Sequence, residues 1–154
     1  MKPRFGLALA LVLPAFASGC GGGEGEGPGY VATIKPAFVA AEESFADTIV
    51  PCLQREYDEC AETGRAGRAA AQALIGKLEE TSSPPEVRDA HQQLLTSFRG
   101  LVRAYDDQAA AIRAEDDAAF DATIMRISSL VTRIDNAAGE IEAAFPGTDL
   151  PSMH

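Results

Sequence analysis

Three cysteines and two histidines are the groups in this 154-residue sequence best suited to redox, nucleophilic or soft-metal chemistry: Cys20, Cys52, Cys60, His91 and His154. Their spacing excludes most of it. A di-iron centre in a helical bundle takes a Glu-x-x-His pair from each of two helices, and neither histidine ends such a motif. A zinc clasp needs cysteine and histidine ligands a few residues apart, whereas Cys52 and Cys60 have a longer spacing and no histidine beside them. Ser97 and His91 lie on one segment without the Gly-flanked elbow that exposes a nucleophilic serine. The run "AEDDAA" lacks the alternating oxygen ligands and central glycine of a calcium loop. The acidic clusters "AEES", "EYDE", "YDDQ" and "AEDD" fall at helix ends or on polar faces, where capping and the helix dipole account for them. Met153 and His154 form only a terminal soft-metal pair on what reads as a frayed tail. No catalytic residue, metal site or cofactor is expected, and the chain reads as a non-enzyme.

Cys20 stands apart from the other two. Ahead of it, Lys2 and Arg4 form a charged stretch and "FGLALALVLPAF" an apolar one, which together read as an export signal. The apolar run is about a dozen residues, short of the roughly 20 that a membrane-spanning helix needs. It ends in Ala17, Ser18 and Gly19, small enough for a peptidase cleft, and then Cys20. "ASGC" resembles the lipobox of bacterial lipoproteins. That resemblance implies acylation of the Cys20 thiol, cleavage after Gly19, and loss of residues 1–19. Ala17 departs from the leucine more common at its position in the family.

From Gly21 to Gly29 the chain is mostly glycine, which fits a flexible tether with a reach of about 15–20 Å between lipid and domain. The two or more acyl chains that the resemblance implies would hold such a tether stably to a bilayer. Residues 20–30 are therefore expected to be lipidated cysteine and linker, 31–147 the folded domain, and 148–154 a tail.

With Cys20 assigned to lipid, Cys52 and Cys60 remain in a chain bound for a disulfide-permissive compartment. On a continuous helix they would stand about 12 Å apart at 1.5 Å per residue, beyond the roughly 7 Å Cα limit for a bridge. A disulfide thus requires a turn between them, and Pro51 is a reason for a helix to end there. Two arrangements fit: a corner through "LQREYDE" closed by a Cys52–Cys60 bridge, which is the expectation, or a kinked helix carrying two reduced thiols.

The elements that must position these groups read as helices. Ala is abundant, aromatic content is 6% and Trp is absent, a composition that favours closely packed helices over a sheet sandwich. Phe120, Ile124, Ile127, Val131, Ile134, Ala138, Ile141 and Phe145 alternate spacings of four and three, one apolar stripe with Asp116 or Asp117 to cap its start and "FPG" to stop it. Val87, His91, Leu94, Phe98, Leu101, Tyr105, Gln108 and Ile112 repeat the rhythm. There Ser83 is the expected N-cap and Glu86 the reciprocal member of a capping box. "AED" alone separates these two helices, so they should form an antiparallel hairpin. Upstream, Phe38, Phe45 and Ile49 mark a helix after Pro36, and Ala69, Ala70, Ala71, Leu74, Ile75 and Leu78 mark another. The expected fold is all-α, an up-down-up-down four-helix bundle after a cleaved signal peptide and Gly-rich tether.

Formal net charge is −10, and the leader holds Lys2 and Arg4 but no acid, so the remainder is more acidic still. Such a surface repels phosphate backbones, which excludes nucleic acid as a partner. The expected function is a non-catalytic lipoprotein module, outside the cytoplasm and lipid-anchored to a bacterial membrane. Its expected partners are the bilayer and an envelope protein or small ligand. The rival is a small-molecule, haem or metal binder using the bundle interior near His91 and Tyr105.

Overall fold

The computed structural model describes residues 26–153; Ala17, Ser18, Gly19, Cys20 and His154 lie outside the described residues. Four helices follow in order: α1 (Glu26–Leu53), α2 (Tyr57–Glu80), α3 (Arg88–Arg113) and α4 (Asp117–Ala144), with a single 3-10 turn, Pro85–Val87, leading into α3. Consecutive helices pack as antiparallel neighbours, giving the up-down-up-down bundle. Among the described residues no helix is long and apolar enough to cross a membrane.

The stripes explain the packing. In α4, Phe120, Ile127, Val131, Ile134, Ala138 and Ile141 are buried, and so are Val87 of the 3-10 turn and the α3 residues from His91 to Gln108 on the expected face. α2 is different at its start, where its buried positions are Cys60, Gly64, Gly67 and Ala71 before Leu74 and Leu78. Small residues there let α3 come close: a Cβ on Gly67 would stand 2.9 Å from the Tyr105 hydroxyl oxygen. Of the three alanines expected to mark this face, only Ala71 is fully buried, and Ala69 is exposed.

Three expectations are corrected. The first helix does not begin after Pro36; it begins at Glu26 and runs through Pro36 and Pro51 to Leu53. Each proline removes one helical N–H and costs about 3 kcal/mol. Against that, Tyr30, Ile34, Phe38, Ala41 and Phe45 bury one continuous stripe on both sides of Pro36, and each large side chain contributes about 1.5–3 kcal/mol. Burial wins. Residues 26–30, assigned to the linker, belong to the start of this helix: a Cβ on Gly27 would lie 2.2 Å from the Phe145 ring, so a side chain there would have to displace that ring from α1.

The second correction concerns α3, whose start carries no side-chain cap from Ser83 or from Glu86; the chain enters through Pro84 and the 3-10 turn instead. The third concerns the tail, which is docked rather than frayed. Leu150 and Met153 are buried, the Met153 N–H donates to Asp135 Oδ1 at 2.9 Å, the Leu150 N–H donates to Glu142 Oε1 at 2.6 Å, and Lys35 pairs with Asp149 at 2.9 Å.

Candidate functional site

The two hairpin corners, 54–56 and 114–116, lie side by side at the end of the bundle remote from the start of α1, and they are built alike. Arg55 and Glu115 take left-handed φ values of 59° and 53°. The Glu56 N–H donates to Pro51 O at 2.9 Å and the Arg55 N–H to Cys52 O at 3.2 Å. In the second corner the Asp116 N–H donates to Ala111 O at 3.0 Å and the Glu115 N–H to Ile112 O at 3.1 Å. Both are Schellman closures, which satisfy the last carbonyls of one helix while reversing the chain. Pro51 therefore sits in the last turn of α1 as an acceptor, and the chain turns two residues later.

That turn brings the two cysteines together. Cys52 and Cys60 form a disulfide with their Cα atoms 4.8 Å apart. The corner is shorter than expected, three residues with Tyr57 already helical, and Cys60 lies in the first turns of α2 rather than at its start. The cystine packs in one apolar cluster with Ala111 and Phe120, joined by Tyr57, Ile112 and Ile124.

Arg55 ties the corners to each other. Its guanidinium donates to Asp117 Oδ1 at 3.2 Å and to both Asp121 oxygens at 2.8 and 3.1 Å, and it lies 5.9 Å over the Phe120 ring. The Tyr57 hydroxyl donates to Asp117 Oδ1 at 2.5 Å, and the Tyr57 ring meets Phe120 edge to face at 5.2 Å. Contact with the Tyr57 hydroxyl and the Asp121 carboxylate pushes the Arg55 pKa up. Beside this cluster opens a groove of about 500 Å³ whose floor includes Ile112, Tyr57 and Phe120 and whose rim carries Asp58, Glu115, Asp116 and Asp117. Four carboxylates line it and no cation does.

Arg55 and Tyr57 were not singled out from the sequence. Their signal was available, since an Arg and a Tyr lie inside the short run between the cysteines, but the left-handed backbone that aims Arg55 at α4 has no residue-type signature.

His91 and Tyr105 are on one face of α3 but in separate surroundings. His91 is buried at the opposite end of the bundle, where its Nδ1 and the Tyr30 hydroxyl share a hydrogen bond of 2.9 Å. Burial lowers the His91 pKa and raises that of Tyr30 to about 12. Tyr105 lies against Gly67, with its pKa also raised to about 12 by burial. Leu94, Phe98 and Leu101 fill the face between the two, a separation of about 21 Å along the helix. Among the described residues no three His, Cys, Asp or Glu side chains are grouped to hold a metal ion. Comparison with protein-family models, with curated proteins and with solved structures finds no match to this chain.

Proposed function

We propose that this chain is a lipid-anchored binding module that works outside the cytoplasm of a bacterium, with its corner end as the binding surface. The carrying observation is the direction of the bundle. α1 starts six residues after Cys20, and the corners lie at the other end of that 28-residue helix, about 42 Å away at 1.5 Å per residue. A lipid at Cys20 would hold the first end near the membrane and turn the corner groove outward. The disulfide supports the same reading, because a cystine persists in oxidising compartments.

The groove's chemistry suits a cationic segment of a partner protein. Carboxylates at the rim steer positive charge, and the partly exposed Tyr57 and Ile112 side chains offer apolar contact. The test has two arms. Cells expressing the full chain are fed an alkyne fatty acid: label on the wild type but not on Cys20→Ala, with a mature chain beginning at Cys20, is expected. Unmodified Cys20 in the mature protein would remove the anchor. In the second arm, binding of a Lys/Arg-rich peptide should weaken with salt and with the Asp58→Asn, Glu115→Gln pair. Binding that ignores both changes would remove the groove.

A further inference from the structure

Gln108 is a buried amide with 2% of its surface exposed, and its Nε2 has no hydrogen-bond partner among the described residues. It stands on the α3 face turned toward the glycines of α2, where a Cβ on Gly64 would lie 3.3 Å from its Oε1. Beside it, between α2 and α3, is a small pocket of about 40 Å³ lined by Gly64, Arg65, Arg68, Tyr105, Asp106 and Gln108 itself. Roughly 10–15 Å³ of such volume admits one water. The rim is fixed, because the Arg68 Nε–H donates to Asp106 Oδ1 at 2.7 Å and its Nη1–H to Gln72 Oε1 at 2.9 Å.

We infer that this pocket is a built site for a resident water that accepts from the Gln108 amide. A buried N–H loses its hydration and needs an acceptor in return. The terminal torsion of a glutamine is soft and roughly two-fold, so the amide can present its NH₂ to the pocket without moving the backbone. A water there accepts that hydrogen bond and has two protons of its own, for which the Asp106 carboxylate in the lining is an acceptor. The site exists because position 64 is glycine: a methyl there would narrow the pocket against the same amide. The guest is water-sized, as a volume of about 40 Å³ dictates, and the Asp106 charge is already matched by Arg68.

The experiment uses the full chain with two readouts. In the wild type, magnetisation transfer from a long-lived water to the Gln108 side-chain NH₂ is expected, and its absence would overturn the proposal. Gln108→Met keeps the length and apolar stem but makes no such bond. With a resident water it should raise the unfolding equilibrium constant roughly tenfold. A Gln108→Met chain at least as stable as the wild type would mean that the amide has no guest to lose. Gly64→Ala should destabilise the wild type but not the Gln108→Met chain, and equal effects in both would count against a shared site. A melting shift specific to chloride, at fixed ionic strength, would replace the water by an anion and overturn the assignment.

Discussion

The two corners of this bundle use the same backbone and close it by different means. Residue for residue, Arg55 corresponds to Glu115, Cys52 to Ile112 and Cys60 to Phe120, and the Cys60 and Phe120 N–H groups donate to the equivalent carbonyls of Glu56 and Asp116 at 2.8 and 2.9 Å. In the second corner an Ile and a Phe occupy the paired positions, and the Asp116 side chain caps α4 by accepting from the Ala119 N–H at 2.9 Å. In the first corner the paired positions are joined covalently, and no side chain caps α2. The comparison teaches that one αα-corner can be closed by packing and a cap, or by a disulfide where the cap is missing. All four paired residues meet in one cluster, so the two devices also hold each other.

The largest effect should come from the packed corner. Phe120 is 2% exposed and touches Tyr57, the cystine cluster and the Arg55 guanidinium. Phe120→Ala should therefore cost about 3–5 kcal/mol in a denaturant titration. A loss below about 1 kcal/mol would mean that the staple alone holds this end of the bundle.

Next comes the staple. The bridge closes a loop of about nine residues, for which the chain-entropy model gives roughly 2.5–3 kcal/mol. Reduction should lower the melting temperature, and the Cys52→Ala, Cys60→Ala double variant should start lower and ignore reductant. If reduction leaves the wild type unmoved, the first corner is held as the second is, and the contrast between them disappears.

How much of this could be read beforehand differs between the two halves. The α3–α4 hairpin was legible down to its three connecting residues, because its stripes are made of large apolar side chains at unbroken spacing and its cap is an Asp. The α1–α2 hairpin was legible only in outline. Gly27, Pro28 and Gly29 have a linker's composition, yet Tyr30 and Ile34 bury enough surface to draw them into α1. Pro36 argued for a helix start that long-range packing overrides. In α2 the contact with α3 is made by Gly64 and Gly67, which carry no hydrophobic signal and reveal themselves only through what they allow to approach. The disulfide was the expected one of two arrangements that chain geometry allowed, while the groove was not foreseen, since its lining comes from both corners.

A smaller effect is expected at the cap. Asp116→Ala removes the acceptor for the Ala119 N–H and should cost about 1 kcal/mol. Because the first corner has no counterpart to this bond, Glu56→Asp offers the reverse experiment: a residue that can cap, placed where none does, should stabilise by up to about 1 kcal/mol. Equal and negligible changes at both positions, measured as unfolding midpoints, would show that caps do not distinguish the corners.

The smallest and most discriminating prediction concerns the two left-handed residues. A non-glycine residue at positive φ is strained, and glycine relieves that strain while losing more entropy on folding, so the net gain is about 0.5–1 kcal/mol. Glu115→Gly should show this gain, with Glu115→Gln as the control that drops the charge and keeps the strain. Arg55→Gly relieves the same strain but also removes the ion pairs to Asp117 and Asp121, whose side chains are 73% and 59% exposed. Exposed pairs of this kind contribute about 0–1 kcal/mol, enough to cancel the relief, so Arg55→Gly should be neutral or slightly destabilising. High salt screens the pairs, and there the two glycine variants should converge. If Arg55→Gly already matches Glu115→Gly at low salt, then Arg55 is only tolerated at its corner, and the link it makes to α4 contributes nothing to holding the corners together.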